Sequence, residues 1–475
     1  MGVEKNIVAI ELGSSSVRAI VGQKKADGSL QVVGFEKENA PDSIHKGVVY
    51  NIDKTIQAIQ NVKKRLEERG RFVIDRVCVG VSGQSLHTLP NSVHRQFDIK
   101  VTISDEIVEN LLNENRSHAY PGQEILDVVT QEFRVGSNLT HEPVGIMADR
   151  IEGYYKNVVA RKSLRESVLR CLAGAKLEVT DCFIAPQLLA DYILTETEKR
   201  SGCALIDFGA ETTTVAVFEK NVMRHLVVIP LGGNHITGDI ASTFHIEHEE
   251  AEKLKLTYGQ AYVDETDQEQ SNTINISNDR IIEEKKLLDI VEARQQEILA
   301  NVWEQIKDYS DRLLAGIIFT GGASNIRFLE KAFVQYHHLD HVKIRLLPSA
   351  TEFTTTLKLD PQTNTLATLV AMLRRSEQEC TSERHEPTDL FDQLPEEPAV
   401  ATSNSTSATG KGVVQTDTKP AEAETVQESV EEPEPTPEPQ PEPKPKKPSS
   451  FRRFINRVSE ALEGLVEDNN TNSKS

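Results

Sequence analysis

Two carboxylates stand two residues ahead of a glycine, and hydroxyl side chains follow each glycine: Glu11 in AIELGSSSVRAIV (9–21) and Asp207 in LIDFGAETTTVAV (205–217). Aligned on the carboxylates at one constant spacing, Gly13 pairs with Gly209 and Ser16 with Thr212. Each stretch reads as strand, tight turn, strand. Glycine lets such a turn take positive φ without a Cβ clash, so successive backbone N–H groups can converge on an anion. A carboxylate at the end of the incoming strand does not bind phosphate, but it suits a hydrated Mg²⁺ or an ordered water beside one. Either stretch alone reads equally as an ordinary hairpin. The pair, at corresponding places in two similar halves, reads as two loops gripping one nucleoside triphosphate from opposite sides. No G-x-x-x-x-G-K-[ST] occurs, which excludes the P-loop class.

Two further glycine pairs accompany them. AGIIFTGGASNIRFLEKAF (315–333) reads as a buried strand, a Gly321-Gly322 turn and a helix with apolar Ile326, Leu329 and Phe333. Glycines there permit close approach of backbone to a flat ligand or to a phosphate at the helix start. PLGGNHITGDIASTF (230–244) supplies Gly232 and Gly233, and the helix after it carries Glu252 and Lys255 at i, i+3. Read as a surface ion pair, those two contribute little.

The elements that hold these residues occupy residues 1 to about 375, where strand-like alternation and helix-like periodicity follow one another with glycine and asparagine punctuation. The apolar content is 38% and the charged content 27%, with no apolar run long enough to span a bilayer. Charges on both sides of the first apolar run argue for a strand and against a signal peptide. The Met-Gly start lacks the Ser or Thr that myristoylation wants, Asn6 standing in that place. Cys78, Cys171, Cys182, Cys203 and Cys380 show no paired spacing and read as reduced thiols. A net charge of −20 makes a poor general nucleic-acid binder, so no nucleic-acid partner is expected.

Residues 376–448 change character, running through TSNSTSATG and EEPEPTPEPQPEPKPKKP, too polar and proline-rich to bury a core. They read as a disordered acidic tether reaching on the order of 45 Å as a coil. Residues 449–468 then read as an amphipathic helix, with Phe451, Phe454, Ile455, Val458 and Leu462 on one stripe and Arg452, Arg453 and Arg457 beside it. Such a helix either docks in a protein groove or lies on a membrane surface. Two phenylalanines at its start, its basic flank and its place after a long tether favour anionic lipid, bound reversibly and strengthened by multivalency.

In order, these elements resemble the actin, sugar-kinase and heat-shock-chaperone ATPase superfamily, and within it the FtsA family of bacterial cell-division proteins. The matching stretches are GVVYNIDKTIQAI (47–59), VCVGVSGQSL (77–86), TQEFRVG (130–136) with PVGIMADRIEG (143–153), PLGGNHITGDIA (230–241) and AEKLKLTYG (251–259). The resemblance implies an α/β, actin-like two-lobed fold of ribonuclease-H-like sheets flanked by helices. The first lobe would hold 1–85 and 163–200, an inserted α+β subdomain 86–162, and the second lobe 201–375. It implies ATP and Mg²⁺ as ligands. Gly13, Ser14, Ser15, Ser16, Arg18, Gly209, Ala210 and Thr212 would line the phosphates, with Glu11 and Asp207 on the metal through water. Glu252 and Lys255 would flank the adenosine, backed by Gly232, Gly233, Gly321 and Gly322.

The implied role is a protein that polymerises on the cytoplasmic face of the inner membrane at the division site. There it would bind the FtsZ C-terminal tail, through the second lobe around residues 300–345, and recruit other division proteins. Two departures bear on chemistry. Ala210 and Glu211 replace glycines common in relatives, which narrows the second turn and adds a negative charge; either Glu211 would then point away or affinity for the phosphates would suffer. Ala185 stands where filament-forming relatives carry the residue that positions the attacking water, and Gln187, about 200° round the helix, faces elsewhere. Weak or absent ATP hydrolysis follows. A small-molecule kinase and a pilus-assembly protein of the same superfamily are the competing readings.

Overall fold

The computed structural model describes residues 5–25, 27–264, 272–277, 280–339, 342–347, 353–357 and 363–383. Its framework is one five-strand pattern built twice. In the first copy, strand Lys5–Leu12 pairs antiparallel with Ser16–Lys24, and that strand with Leu30–Asn39. On the other side lie parallel strands Arg76–Val81 and Glu178–Ile184. The second copy pairs Cys203–Phe208 with Thr213–Glu219 and that strand with Val222–Ile229, and lays Gly316–Thr320 and Ile344–Leu346 parallel on the other side. The carboxylates occupy equivalent register positions. Glu11 lies opposite Arg18 and Gly80, and Asp207 opposite Thr214 and Thr320.

Parallel neighbours need long crossovers, and the helices that make them cover the sheet faces. This explains why the central strands are apolar nearly throughout and do not alternate: Ile7 to Ile10 are all buried, as are Thr213 to Phe218. Helix Ile52–Gly70 shows how the sequence sets such an element. Asn51 caps its start by accepting the Lys54 N–H, and Thr55, Ala58, Ile59, Val62 and Leu66 form its buried stripe. It ends at Arg71 in left-handed conformation. In the second copy Phe208, Phe319 and Phe333 pack edge to face at 5.2 and 5.5 Å between ring centres, the geometry that ring quadrupoles favour.

Strands His87–Thr102, Gln123–Val135, Asn138–Thr140 and Met147–Arg161, with helix Asp105–Arg116, form an α+β unit between strands Arg76–Val81 and Glu178–Ile184 in chain order. In space it extends the second sheet, joined through the His87–Val227 pairing and the Gln131 side chain, which donates to the Met223 carbonyl at 3.1 Å. Inside it the amides of Asn91, Asn115 and Asn157 bond to one another at 2.7–3.3 Å, satisfying polar groups that burial would otherwise penalise.

The chain's return corrects the linear assignment of 201–375 to the second lobe. Thr354–Thr355 pairs with Gln31 and Val32 on the edge of the first sheet, and helix Ala367–Arg375 packs on that sheet and on helix Ala185–Ile193. That last helix buries Leu369, Val370, Ala371, Met372 and Leu373 consecutively, so it needs cover on more than one side. Glycines in the first sheet make the room. A Cβ at Gly22 would lie 2.7 Å from Leu373 Cδ1, and one at Gly80 3.3 Å from Met372 Sδ.

Order also persists past residue 376, where the tether was expected to begin. The Cys380 N–H donates to the Asn6 carbonyl at 2.8 Å, the Asp75 and Arg76 N–H groups donate to the Cys380 carbonyl at 3.2 Å, and Thr381–Glu383 pairs with Phe72–Ile74. The rest of the linker lies outside the described residues, as does the helix 449–468 with Phe451 to Leu462. Among the described residues no helix is long and apolar enough to cross a membrane.

A chain ending at Arg375 is expected to lose about 2–4 kcal/mol relative to one ending at Glu383, because the strap's backbone bonds and the burial of Cys380 go together. Urea unfolding of the two truncations measures the difference; equal midpoints would show the strap to be idle.

Candidate functional site

The two turns close alike. The Gly13 N–H donates to the Ser16 carbonyl at 3.1 Å, and the Gly209 N–H to the Thr212 carbonyl at 2.8 Å. Neither glycine is left-handed, which corrects the expected reason for their presence. They supply room: a Cβ would fall 3.2 Å from the Ser16 oxygen at Gly13 and 2.8 Å from the Thr212 oxygen at Gly209. Positive φ is needed instead at Gly321, where φ is 89° and a Cβ would press within 2.3 Å of Asp207 Oδ1.

The other glycines stack these loops. A Cβ at Gly232 would lie 2.6 Å from the Gly209 oxygen. The first amides of helix Gly233–Phe244 donate to the second turn, Gly233 to the Gly209 carbonyl at 3.0 Å and Asn234 to that of Ala210 at 2.7 Å. A Cβ at Gly233 would touch Ala323 at 3.0 Å, while one at Gly322 would make only an ordinary contact of 3.6 Å with Thr365 Cγ2. Lys255 and Glu252, whose spacing fits a surface pair, form a triad with Thr237 in which the Lys255 ammonium is shielded and Glu252 is partly exposed. The Lys255 ammonium bonds Glu252 at 2.7 Å, Thr237 Oγ1 at 2.9 Å and the Gly233 carbonyl at 3.1 Å. Burial pushes the Lys255 ammonium below its ordinary pKa.

At the base of the site the two carboxylates lie near one cation, which pairs with Glu11 alone. Arg18 donates from Nη2 to Glu11 Oε1 at 2.8 Å and from Nη1 to the Thr365 carbonyl at 2.7 Å. The guanidinium thus pairs with Glu11, where the resemblance assigns it to phosphate. Glu11 Oε2 is buried with no hydrogen-bond partner among the described residues. The Asp207 carboxyl is raised to about 6, first by burial and then by the charge of Glu11, with Arg18 opposing. Two carboxylates against one guanidinium, with an orphaned oxygen, fit a divalent cation. Among the described residues no three ligating side chains cluster, so the donor set fits a cation held through its waters and not an all-protein cage.

Of the three serines, Ser15 is exposed, Ser16 is buried, and Ser14 Oγ accepts the Gly47 N–H at 2.9 Å. Glu211 turns away from its own loop and accepts the Lys46 N–H at 2.7 Å. Ala185 packs on Gly80, and Gln187 donates to Asp127 of the inserted strands at 2.9 Å. Sequence reading missed Thr365 and the Lys46-Gly47 pair. Both act through backbone atoms, which leave no mark on residue type.

Comparison with known proteins follows the same lines. Residues 204–404 match the family model described as cell division protein FtsA, and residues 9–266 match that of type IV pilus assembly protein PilM. The chain is 30% identical over 350 residues to the cell division protein FtsA of Pseudomonas aeruginosa, covering 72% of this chain and 82% of the relative. It is 30% identical over 323 residues to that of Bacillus subtilis, covering 66% and 73%. A solved PilM–PilN type IV pilus biogenesis complex superposes with a TM-score of 0.54 at 16% identity, covering 77% of this chain and 97% of that one. At that identity the likeness concerns the fold: α/β, actin-like and two-lobed.

Asp207 sets a pH dependence. The folded protein holds its proton more tightly than the unfolded chain, whose ordinary value is 3.8. Its contribution to stability is therefore fully present below that value and lost as pH rises through about 6. Without magnesium or nucleotide, Asp207→Asn is expected to gain on the order of 2 kcal/mol over wild type between pH 4 and pH 7.5. Denaturation midpoints at the two pH values test this, and a constant difference would contradict it.

Proposed function

Since the chain belongs to the FtsA family of cell-division proteins, we propose that it binds ATP–Mg²⁺ between its two lobes, self-assembles, and tethers FtsZ to the cytoplasmic face of the inner membrane. The observation that supports the nucleotide reading best is the meeting of Glu11 and Asp207 with one guanidinium between two like turns. Such a charge set favours an added cation, and a metal-bound triphosphate brings one together with anionic oxygens for the nearby turns. Glu11 and Asp207 would hold the metal through its waters. Magnesium there would neutralise phosphate charge. Ser15, Gly13, Gly209, Ala210 and Thr212 would border the phosphates, and the Gly232-Gly233 and Gly321-Gly322 loops, braced by Lys255 and Glu252, would border the nucleoside.

This chain's residues suit holding nucleotide better than cleaving it. Ala185 offers no group to orient water, and Gln187 is engaged by Asp127. Nucleotide then acts as an assembly ligand, and turnover by purified protein is expected to stay near background. The pilus-family model over residues 9–266 favours a second reading, a pilus-assembly role. Against it, the division-family relatives are matched at 30% identity across most of their length. The tail 449–468 would supply the membrane attachment, and later division proteins would be recruited there.

Two measurements test the proposal. Fluorescent ATP is expected to bind in the presence of magnesium, with Glu11→Gln weakening it at least tenfold; equal affinity in that variant would remove the metal assignment. Full-length protein is expected to sediment with anionic vesicles and a chain ending at Pro448 to stay in solution. Sedimentation of both would move the membrane contact off the terminal helix.

A further inference from the structure

The second glycine turn carries a carboxylate that the nucleotide reading does not use. Glu211 is on the tip of the Gly209–Thr212 turn in the second lobe, yet its polar contacts belong to the first. Its Oε2 accepts the Lys46 N–H at 2.7 Å, and His45 Nδ1 lies 3.6 Å from Oε1. The next amide along, Gly47 N–H, donates to Ser14 Oγ on the first glycine turn at 2.9 Å. One dipeptide thereby bonds both turns.

Its backbone explains how. Lys46 and Gly47 are both left-handed, at φ of 53° and 73°, an arrangement that directs successive N–H groups to one side. A lysine at positive φ persists only where its surroundings impose it. Here they do: the Gln84 N–H donates to the Lys46 carbonyl at 3.0 Å, and a Cβ at Gly47 would meet Gly83 Cα at 2.7 Å. The amides are fixed to the first lobe. Glu211 is fixed to the second, because the Gly209–Thr212 bond and the stacked Gly232 hold its turn. The carboxylate is only 17% exposed, so water screens the contact weakly, and a charged acceptor strengthens a backbone hydrogen bond.

We propose that Glu211 is an interlobe latch: its carboxylate, seated on the Lys46 amide, holds the two glycine turns facing each other before any ligand enters. The latch pre-organises the cleft, since a ligand entering it need not pull the lobes together. For nucleotide, a consequence that rests on the reading above, the latch slows release.

The test uses the full chain with Cys182→Ser, the other four cysteines being buried. Spin labels at Lys64→Cys on helix Ile52–Gly70 and Glu304→Cys on helix Glu284–Ile306, both exposed, report the interlobe distance. Glu211→Ala is expected to lengthen and broaden the distance distribution and to speed hydrogen exchange of the 44–50 peptide at least tenfold. Glu211→Gln keeps an acceptor oxygen and is expected to fall between. Unchanged distances and exchange in Glu211→Ala, with its circular dichroism intact, would overturn the latch. Should that variant not fold, Glu211→Gln decides alone, and wild-type behaviour in both readouts would overturn it. Release of fluorescent ATP is measured alongside. If wild type binds none, the nucleotide reading falls while distance and exchange still judge the latch.

Discussion

Two carboxylates held near each other away from bulk water repel, and the fold supplies a single guanidinium to balance them. Glu11 is covered by Arg18, whereas Asp207 is left with a carboxyl raised to about 6. Much of the site is arranged around this imbalance. Gly321 brings backbone against Asp207 where no side chain would fit, and the Thr365 carbonyl steadies the far side of Arg18. An ion-rich site of this kind contributes little to stability by itself, since desolvation offsets attraction. Its value lies in preferring a cation, and a cation-bearing anion suits the turns beside it.

Duplication of one sheet pattern creates that imbalance. Because Glu11 and Asp207 hold equivalent register positions in the two copies, bringing the copies together brings the carboxylates together. The copies are not equal in chemistry: Arg18 in one hairpin corresponds to Thr214 in the other, so the cation comes from one side only. The turns differ as well. Ser14 in the first accepts from Gly47, while Glu211 in the second accepts from Lys46. The same dipeptide thus serves both.

Long-range closure has a comparable physical basis. Helix Ala367–Arg375 is too apolar to be covered by one neighbour, and the first sheet provides it a bed at Gly22 and Gly80. The segment through Glu383 then ties the chain's exit to the strand that carries Glu11, through the Cys380–Asn6 backbone bond. The described part of this segment therefore ends, at Glu383, on the side of the first sheet.

By itself the sequence determined the repeat: carboxylate, glycine and hydroxyls at one spacing, flanked by apolar runs whose periodicity marks strands and helices. It also determined the glycine pairs and the change of composition after the folded region. These are local, because residue type and short-range spacing carry them. Only the tertiary structure decided that Gly13 and Gly209 serve close packing and not positive φ, that the Lys255 ammonium is shielded, and that the last helix returns to the first sheet. It alone decided the partners of Arg18 and Glu211. Among those partners are backbone groups of Thr365 and Lys46, far away in the chain, and a backbone amide or carbonyl is the same in every residue type that could stand there, so no reading of side chains finds them.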